Sequence, residues 1–202
     1  MKLMKTKHGN LSKLQFILIA ASLFVPTLAM AHVGVGPTTG LLRGFVHPMT
    51  GLDHVCAMVA VGLWASQMGG RAIWVVPLTF VTMMACGAAI GMAGLSGPIV
   101  ERGIVISVLA LGVLIAAAVR LPLVAGALLV GLFALFHGHA HGTEMPATAS
   151  GLVYGAGFIL ATASLHACGI ATGLILQKSD RGQLIRFAGM AIAVCGLYRC
   201  LA

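Results

Sequence analysis

Two short runs concentrate the side chains that could do chemistry. The first reads His47-Pro48-Met49-Thr50-Gly51-Leu52-Asp53-His54, and the second reads Phe136-His137-Gly138-His139-Ala140-His141-Gly142-Thr143-Glu144. Imidazole nitrogens with a few carboxylate oxygens suit borderline divalent ions such as Ni2+, Co2+, Zn2+ and Cu2+, whereas Mg2+ and Ca2+ take oxygen shells. The chain has eight histidines but only four acids, Asp53, Glu101, Glu144 and Asp180, and two of those acids lie inside the runs. On one helix His47 and His54 would share a face two turns apart, with Asp53 on the adjacent face. In the second run His137, His141 and Glu144 fall on one face at i, i+4 and i+7, and His139 points the other way. Gly138 and Gly142 weaken a regular helix, so this end is expected to be partly unwound. Such backbone is tolerated at membrane depth where it lines a polar cavity. The bland alternative is two sets of interfacial histidines bonded to backbone carbonyls. Against it stands the recurrence of histidine with an acid in both runs.

The elements that must position these residues are apolar. Of 202 residues, 59 % are hydrophobic and only 8 % are charged, with a mean hydropathy of +1.05. A soluble domain carries roughly 25 % charged residues, so a soluble enzyme or a disordered chain does not fit. The pI of 9.8 does not signal nucleic-acid binding either, because the basic residues are scattered between apolar runs and form no stripe. The composition is that of an all-α, polytopic membrane protein. Lys2, Lys5, Lys7 and Lys13 precede the short apolar stretch from Phe16 to Val25; Pro26 ends it, and Ala29-Met30-Ala31 supplies a small-x-small pattern. Residues 1–31 therefore read as a cleaved signal peptide, and removing its lysines halves the formal net charge of +8.

Residues 32–202 hold six apolar segments, roughly Pro48–Gln67, Ile73–Ala93, Gly103–Val119, Pro122–Ala140, Ala149–Leu176 and Leu184–Leu201, each near the roughly 17–25 residues of a membrane span. Pro48 suits the first helical position of the first segment. A cleaved signal puts both mature termini on the periplasmic side of an inner membrane. Arg71, Arg120, Lys178, Arg181 and Arg186 then fall inside, and Arg43, Arg102 and Arg199 outside, as the positive-inside rule asks. Both histidine runs fall at the external end. Small residues are abundant along the segments and permit close helix packing, including in a homo-oligomer.

At these runs the sequence resembles the HupE/UreJ nickel permeases, which carry H-x5-D-H in the first mature span and F-H-G-x-A-H-G-x-E at the fourth. His47 to His54 and Phe136 to Glu144 match both patterns in full. The resemblance implies a six-span permease in which His47, Asp53, His54, His137, His141 and Glu144 belong to a nickel pathway, with His139 at the motif's variable position. It implies nickel supply for hydrogenase or urease maturation. Ni2+ is the implied substrate, Co2+ takes the same ligands, and no organic cofactor is expected.

Several residues lie outside the motifs. Glu101, at the external start of the third segment, is either an interfacial partner of Arg43 or Arg102 or a collector of cations at the mouth. Phe80 reads as packing. His166, in the middle of the fifth segment, is either a second relay position or a helix–helix hydrogen bond. His32, at the new N-terminus, could chelate with its amine and imidazole. The five cysteines form no C-x-x-C and read as buried free thiols. A non-transporting metal-binding subunit stays open. A rhomboid-type serine protease is the enzyme rival, since Gly94-Leu95-Ser96-Gly97 reads G-x-S-G, but the last segment has no histidine to serve as base.

Overall fold

The computed structural model describes residues 37–94, 99–143 and 151–201, and every element among them is an α-helix. The expected signal peptide, His32, Ser96 and Glu144 lie outside the described residues. The helices are α1 (Pro37–Thr50), α2 (Leu52–Met68), α3 (Ala72–Met92), α4 (Val100–Ala116), α5 (Leu123–Thr143), α6 (Gly151–Lys178) and α7 (Gly182–Leu201). Breakers set the joints. Gly69 and Gly70 take positive φ of 72° and 52° between α2 and α3, a conformation glycine adopts without steric cost. Pro122 immediately precedes α5.

Four helices, α3, α5, α6 and α7, are long and apolar enough to cross a membrane, and α1 with α2 make a fifth crossing if counted as one broken span. At 17 residues, α4 reaches only about 25 Å at 1.5 Å per residue. It ends at Ala116 rather than at Val119, where the apolar run stops. The reason is local: its orphan terminal carbonyls are taken up by neighbouring side chains. Gln67 Nε2 donates to Ile115 O (3.2 Å), Arg186 Nε to Ala116 O (2.8 Å) and Trp64 Nε1 to Val119 O (2.9 Å).

The first segment departs from expectation. It is not one helix: α1 and α2 meet at Gly51 with a bend of 85°. Pro48 does not open a helix but sits in the last turn of α1, which starts earlier, on Pro37, a residue suited to a first helical position.

Most of α2 is buried, almost without interruption from Cys56 to Gln67, so it is the central helix. Around it the helices pack as α3 with α5, α4 with α7, and α6 with both α1 and α2. Lipid supplies no hydrophobic drive for such pairing, and close backbone approach replaces it. The glycines make this reciprocal. A Cβ on Gly138 or Gly142 of α5 would run into the carbonyls of Met84 and Ala88 in α3, and one on Gly87 or Gly91 would run into those of Leu135 and His139. Gly62 of α2 and Gly169 of α6 face each other's backbone carbonyls in the same way. Gly138 and Gly142 therefore do not unwind the second histidine run. The helix continues through Thr143, and the glycines serve packing. The cysteines are free, but only Cys56 is buried; Cys86, Cys168 and Cys200 are exposed on the bundle's outer face, where an apolar thiol meets lipid without cost.

Candidate functional site

The joint at Gly51 builds half of the site. Gly51 is extended (φ −95°, ψ 118°) and caps α2, so Asp53 and His54 lie in the first helical turn. Asp53 Oδ1 accepts from the His54 backbone N–H (3.0 Å) and stands 2.9 Å from His54 Nδ1. A carboxylate can only accept, so the neutral ring carries its proton on Nδ1 and keeps its lone pair on Nε2. That Nε2 is buried and meets no partner among the described residues. Gly51 is required for this fold-back, because a Cβ there would lie 2.7 Å from His54 Nδ1. The other oxygen of Asp53 is 3.4 Å from Arg199 Nη2, at the end of α7.

The last turns of α5 build the other half. His137 and His141, one turn apart, are both buried, at 0 % and 3 % exposure. Ser107 Oγ lies 2.6 Å from Ile104 O and 2.9 Å from His137 Nε2. Its single proton must go to the carbonyl, since two oxygens at that distance need a hydrogen between them. Ser107 then accepts from His137 Nε2–H, and the neutral His137 keeps its lone pair on Nδ1. That atom too is buried without a partner among the described residues. Two second partners, Asp53 and Ser107, thus fix opposite tautomers on the two rings, as the outer partners of metal-binding histidines do.

The two halves meet. His54 lies edge-on to His137 (ring centroids 5.3 Å) and to His141 (4.4 Å), and His47 lies edge-on to His141 (5.0 Å). His47 and His54 do converge, though not on one helix face as expected; the bend turns them onto His141 from two helices. Tyr154 and Phe158 of α6 close the side, with Phe158 4.1 Å from His141 and Tyr154 6.0 Å from His47. A cavity of about 310 Å3 lined by Met84, Ala88, Gly142 and Phe158 borders His141. Among the described residues no three His, Cys, Asp or Glu groups are spaced to hold one ion as they stand, because the rings pack on one another.

His166 lies deeper, 2 % exposed, edge-on to Phe80 at 5.0 Å. Phe80 in turn lies 5.7 Å from His137. The helix–helix hydrogen bond considered for His166 does not form: neither ring nitrogen has a partner among the described residues. An unpaired buried polar group costs about 1–3 kcal/mol. His139, two residues from both His137 and His141, projects from the opposite side of α5. Glu101 is exposed in the first turn of α4, and it bonds to neither Arg43 nor Arg102 among the described residues. Sequence reasoning missed Ser107, Arg199, Tyr154 and Phe158. Ser107 had left only the signal of a hydroxyl in an apolar run, and Arg199 that of a charge near the end of the last one.

The family model described as HupE / UreJ protein matches residues 19–199. Protein HupE of Rhizobium leguminosarum bv. viciae is 46 % identical over 177 residues, which cover 87 % of this chain and 92 % of that protein. No solved structure matches the chain. The family match takes in both histidine runs and all of the helices described above except the last two residues of α7; the chain belongs to the HupE/UreJ family of membrane-bound hydrogenase and urease accessory proteins.

Proposed function

We propose that the protein is a permease that carries Ni2+ inward across the bacterial inner membrane for hydrogenase or urease maturation. One observation carries this reading: four imidazoles from three helices, two buried and two half-buried, converge in one cluster, and Asp53 and Ser107 leave lone pairs on two of them. Imidazoles with a single carboxylate form a nitrogen-rich donor set, which favours Ni2+ or Co2+ over Mg2+ or Ca2+. His47, Asp53, His54, His137 and His141 form the outer binding position in this reading. Glu144, His139, Glu101 and His32 are further ligands or collectors toward the periplasmic mouth.

The topology completes the proposal. After a cleaved signal peptide, α1 and α2 together make the first of six crossings and α4 the third, with both termini periplasmic. An arriving ion parts the packed rings and exchanges ring–ring contacts for nitrogen bonds. The membrane potential can drive it: at about 2.3 kcal/mol per charge per 100 mV, a divalent ion gains about 4.6 kcal/mol, roughly a 10^3-fold gradient.

The test is uptake of 63Ni2+ by purified protein in proteoliposomes with an imposed potential, with Co2+, Zn2+ and Cu2+ as competitors. Wild-type protein accumulates Ni2+, and Asp53→Asn or His54→Ala abolishes accumulation at equal protein level. Binding without accumulation would refute the permease and favour a metal-binding subunit. Full activity of either variant would refute the site.

A further inference from the structure

Beyond the outer rings lies a further buried histidine, His166. It is the sixteenth residue of a 28-residue helix, which puts it about halfway through the bilayer at 1.5 Å per residue. Three buried hydroxyls in the bundle each have a bonding partner: Ser66 with Leu63 O, Ser107 with Ile104 O, and Thr162 with Met84 Sδ. Among the described residues His166 has none at either nitrogen. A residue kept for packing alone needs no nitrogens at this depth, and an intramembrane ionisable group facing the bundle interior marks a pathway by default.

Phe80 packs against both His166 and the outer ring of His137. Phe80 is fully buried, edge-on to His166 at an interplanar angle of 89° and tilted by 51° to His137. A phenyl ring offers a cation no lone pair on which to rest. Its negative face nonetheless attracts a passing cation, and rotation of a single side chain uncovers the way past it. Two nitrogen donors separated by a ring that cannot coordinate give stops on both sides of a barrier. Conduction needs such an arrangement, in which each site binds well enough to admit the ion and weakly enough to release it.

We propose that Phe80 is the gate of the cation path and that His166, directly behind it, is a second binding position that receives a borderline divalent metal ion from the outer imidazoles. This rests on the permease reading above and adds to it a residue pair outside both histidine runs.

The experiment compares wild type, His166→Gln and Phe80→Leu as full-length protein, measuring 63Ni2+ uptake in proteoliposomes and Ni2+ affinity by titration of the purified protein. Glutamine keeps polarity and much of the volume but lacks the imidazole. His166→Gln is expected to lower the uptake rate at least ten-fold while Ni2+ affinity at the outer position stays within two-fold. Uptake at the wild-type rate overturns the inner position. Loss of affinity in step with uptake also overturns it, by making His166 part of the outer site or of the fold. Should His166→Gln fail to fold, Phe80→Leu decides. It is expected to change the uptake rate at least three-fold with affinity unchanged, and an unchanged rate overturns the gate. Wild-type protein that accumulates no Ni2+ would sink the permease reading itself, which separates that failure from this one.

Discussion

Ser107 offers the sharpest test of how the site is tuned, because its hydroxyl makes two bonds with one proton. Replacing it by alanine removes the acceptor 2.9 Å from His137 Nε2. The site is fully buried, with both Ser107 and His137 at 0 % exposure, so no solvent takes the place of the lost oxygen. In the free protein the ring can relieve the loss by moving its proton to Nδ1. An ion bound at Nδ1 forbids that and forces an unpaired Nε2–H. The penalty of a buried unpaired donor, about 1–3 kcal/mol, therefore appears chiefly in the bound state. It corresponds to roughly a 5- to 150-fold loss of metal affinity, which brackets the roughly 10- to 100-fold typical when outer partners of metal ligands are removed. The assay is the concentration dependence of 63Ni2+ uptake in Ser107→Ala, Ser107→Val and Ser107→Thr. Threonine and valine have nearly the same shape and differ in the hydroxyl. The KM should rise in the alanine and valine variants and stay near wild type with threonine. Nitrogen-15 spectra of labelled histidine should show His137 protonated at Nε2 in wild type and at a mixture of sites in Ser107→Ala. Equal KM values for threonine and valine, or an unchanged His137 spectrum, would refute the reasoning.

Gly51→Ala should cut uptake more than ten-fold while helix content by circular dichroism is unchanged, since the new Cβ falls 2.7 Å from His54 Nδ1; normal uptake would show that the Asp53–His54 pairing is dispensable. A metal ion must compete with protons for histidine nitrogen, so uptake should fall as the external pH drops from 7.5 to 5. A rise in rate over that range would point to proton-driven chemistry instead. Gly138→Ala should destabilise the fold by about 1–3 kcal/mol through overpacking against Met84. Gly155→Ala, where a Cβ meets nothing within 4 Å, should stabilise it by about 0.5–1 kcal/mol. Denaturant unfolding of the two proteins side by side separates these outcomes.

Much of the site was legible because charge is so scarce in this chain: in a background of apolar residues, His54, His137 and His141 cannot be read as surface. The α-helical class followed from the same scarcity. What escaped was geometry that periodicity does not encode. The bend at Gly51 is invisible to a hydropathy window, because apolar residues continue through it on both sides. For Gly138 and Gly142 the local rule pointed the wrong way. Each lowers helix propensity, yet the facing backbone of α3 needs the space they leave, and tertiary packing prevails over propensity. Ser107 and Phe80 are ordinary residues in their own segments, and their roles appear only when α4 and α3 are set beside α5.

The reciprocal glycines also have a mechanical consequence. Helices whose backbones interlock cannot slide past each other without collision, so α3 with α5 makes one stiff unit and α2 with α6 another. The imidazoles are shared out across the seam between them. His137, His141 and Phe80 ride on the first unit, and His54 and His166 on the second. A movement along that seam would part His54 from both His137 and His141 at once, like the two jaws of a clamp.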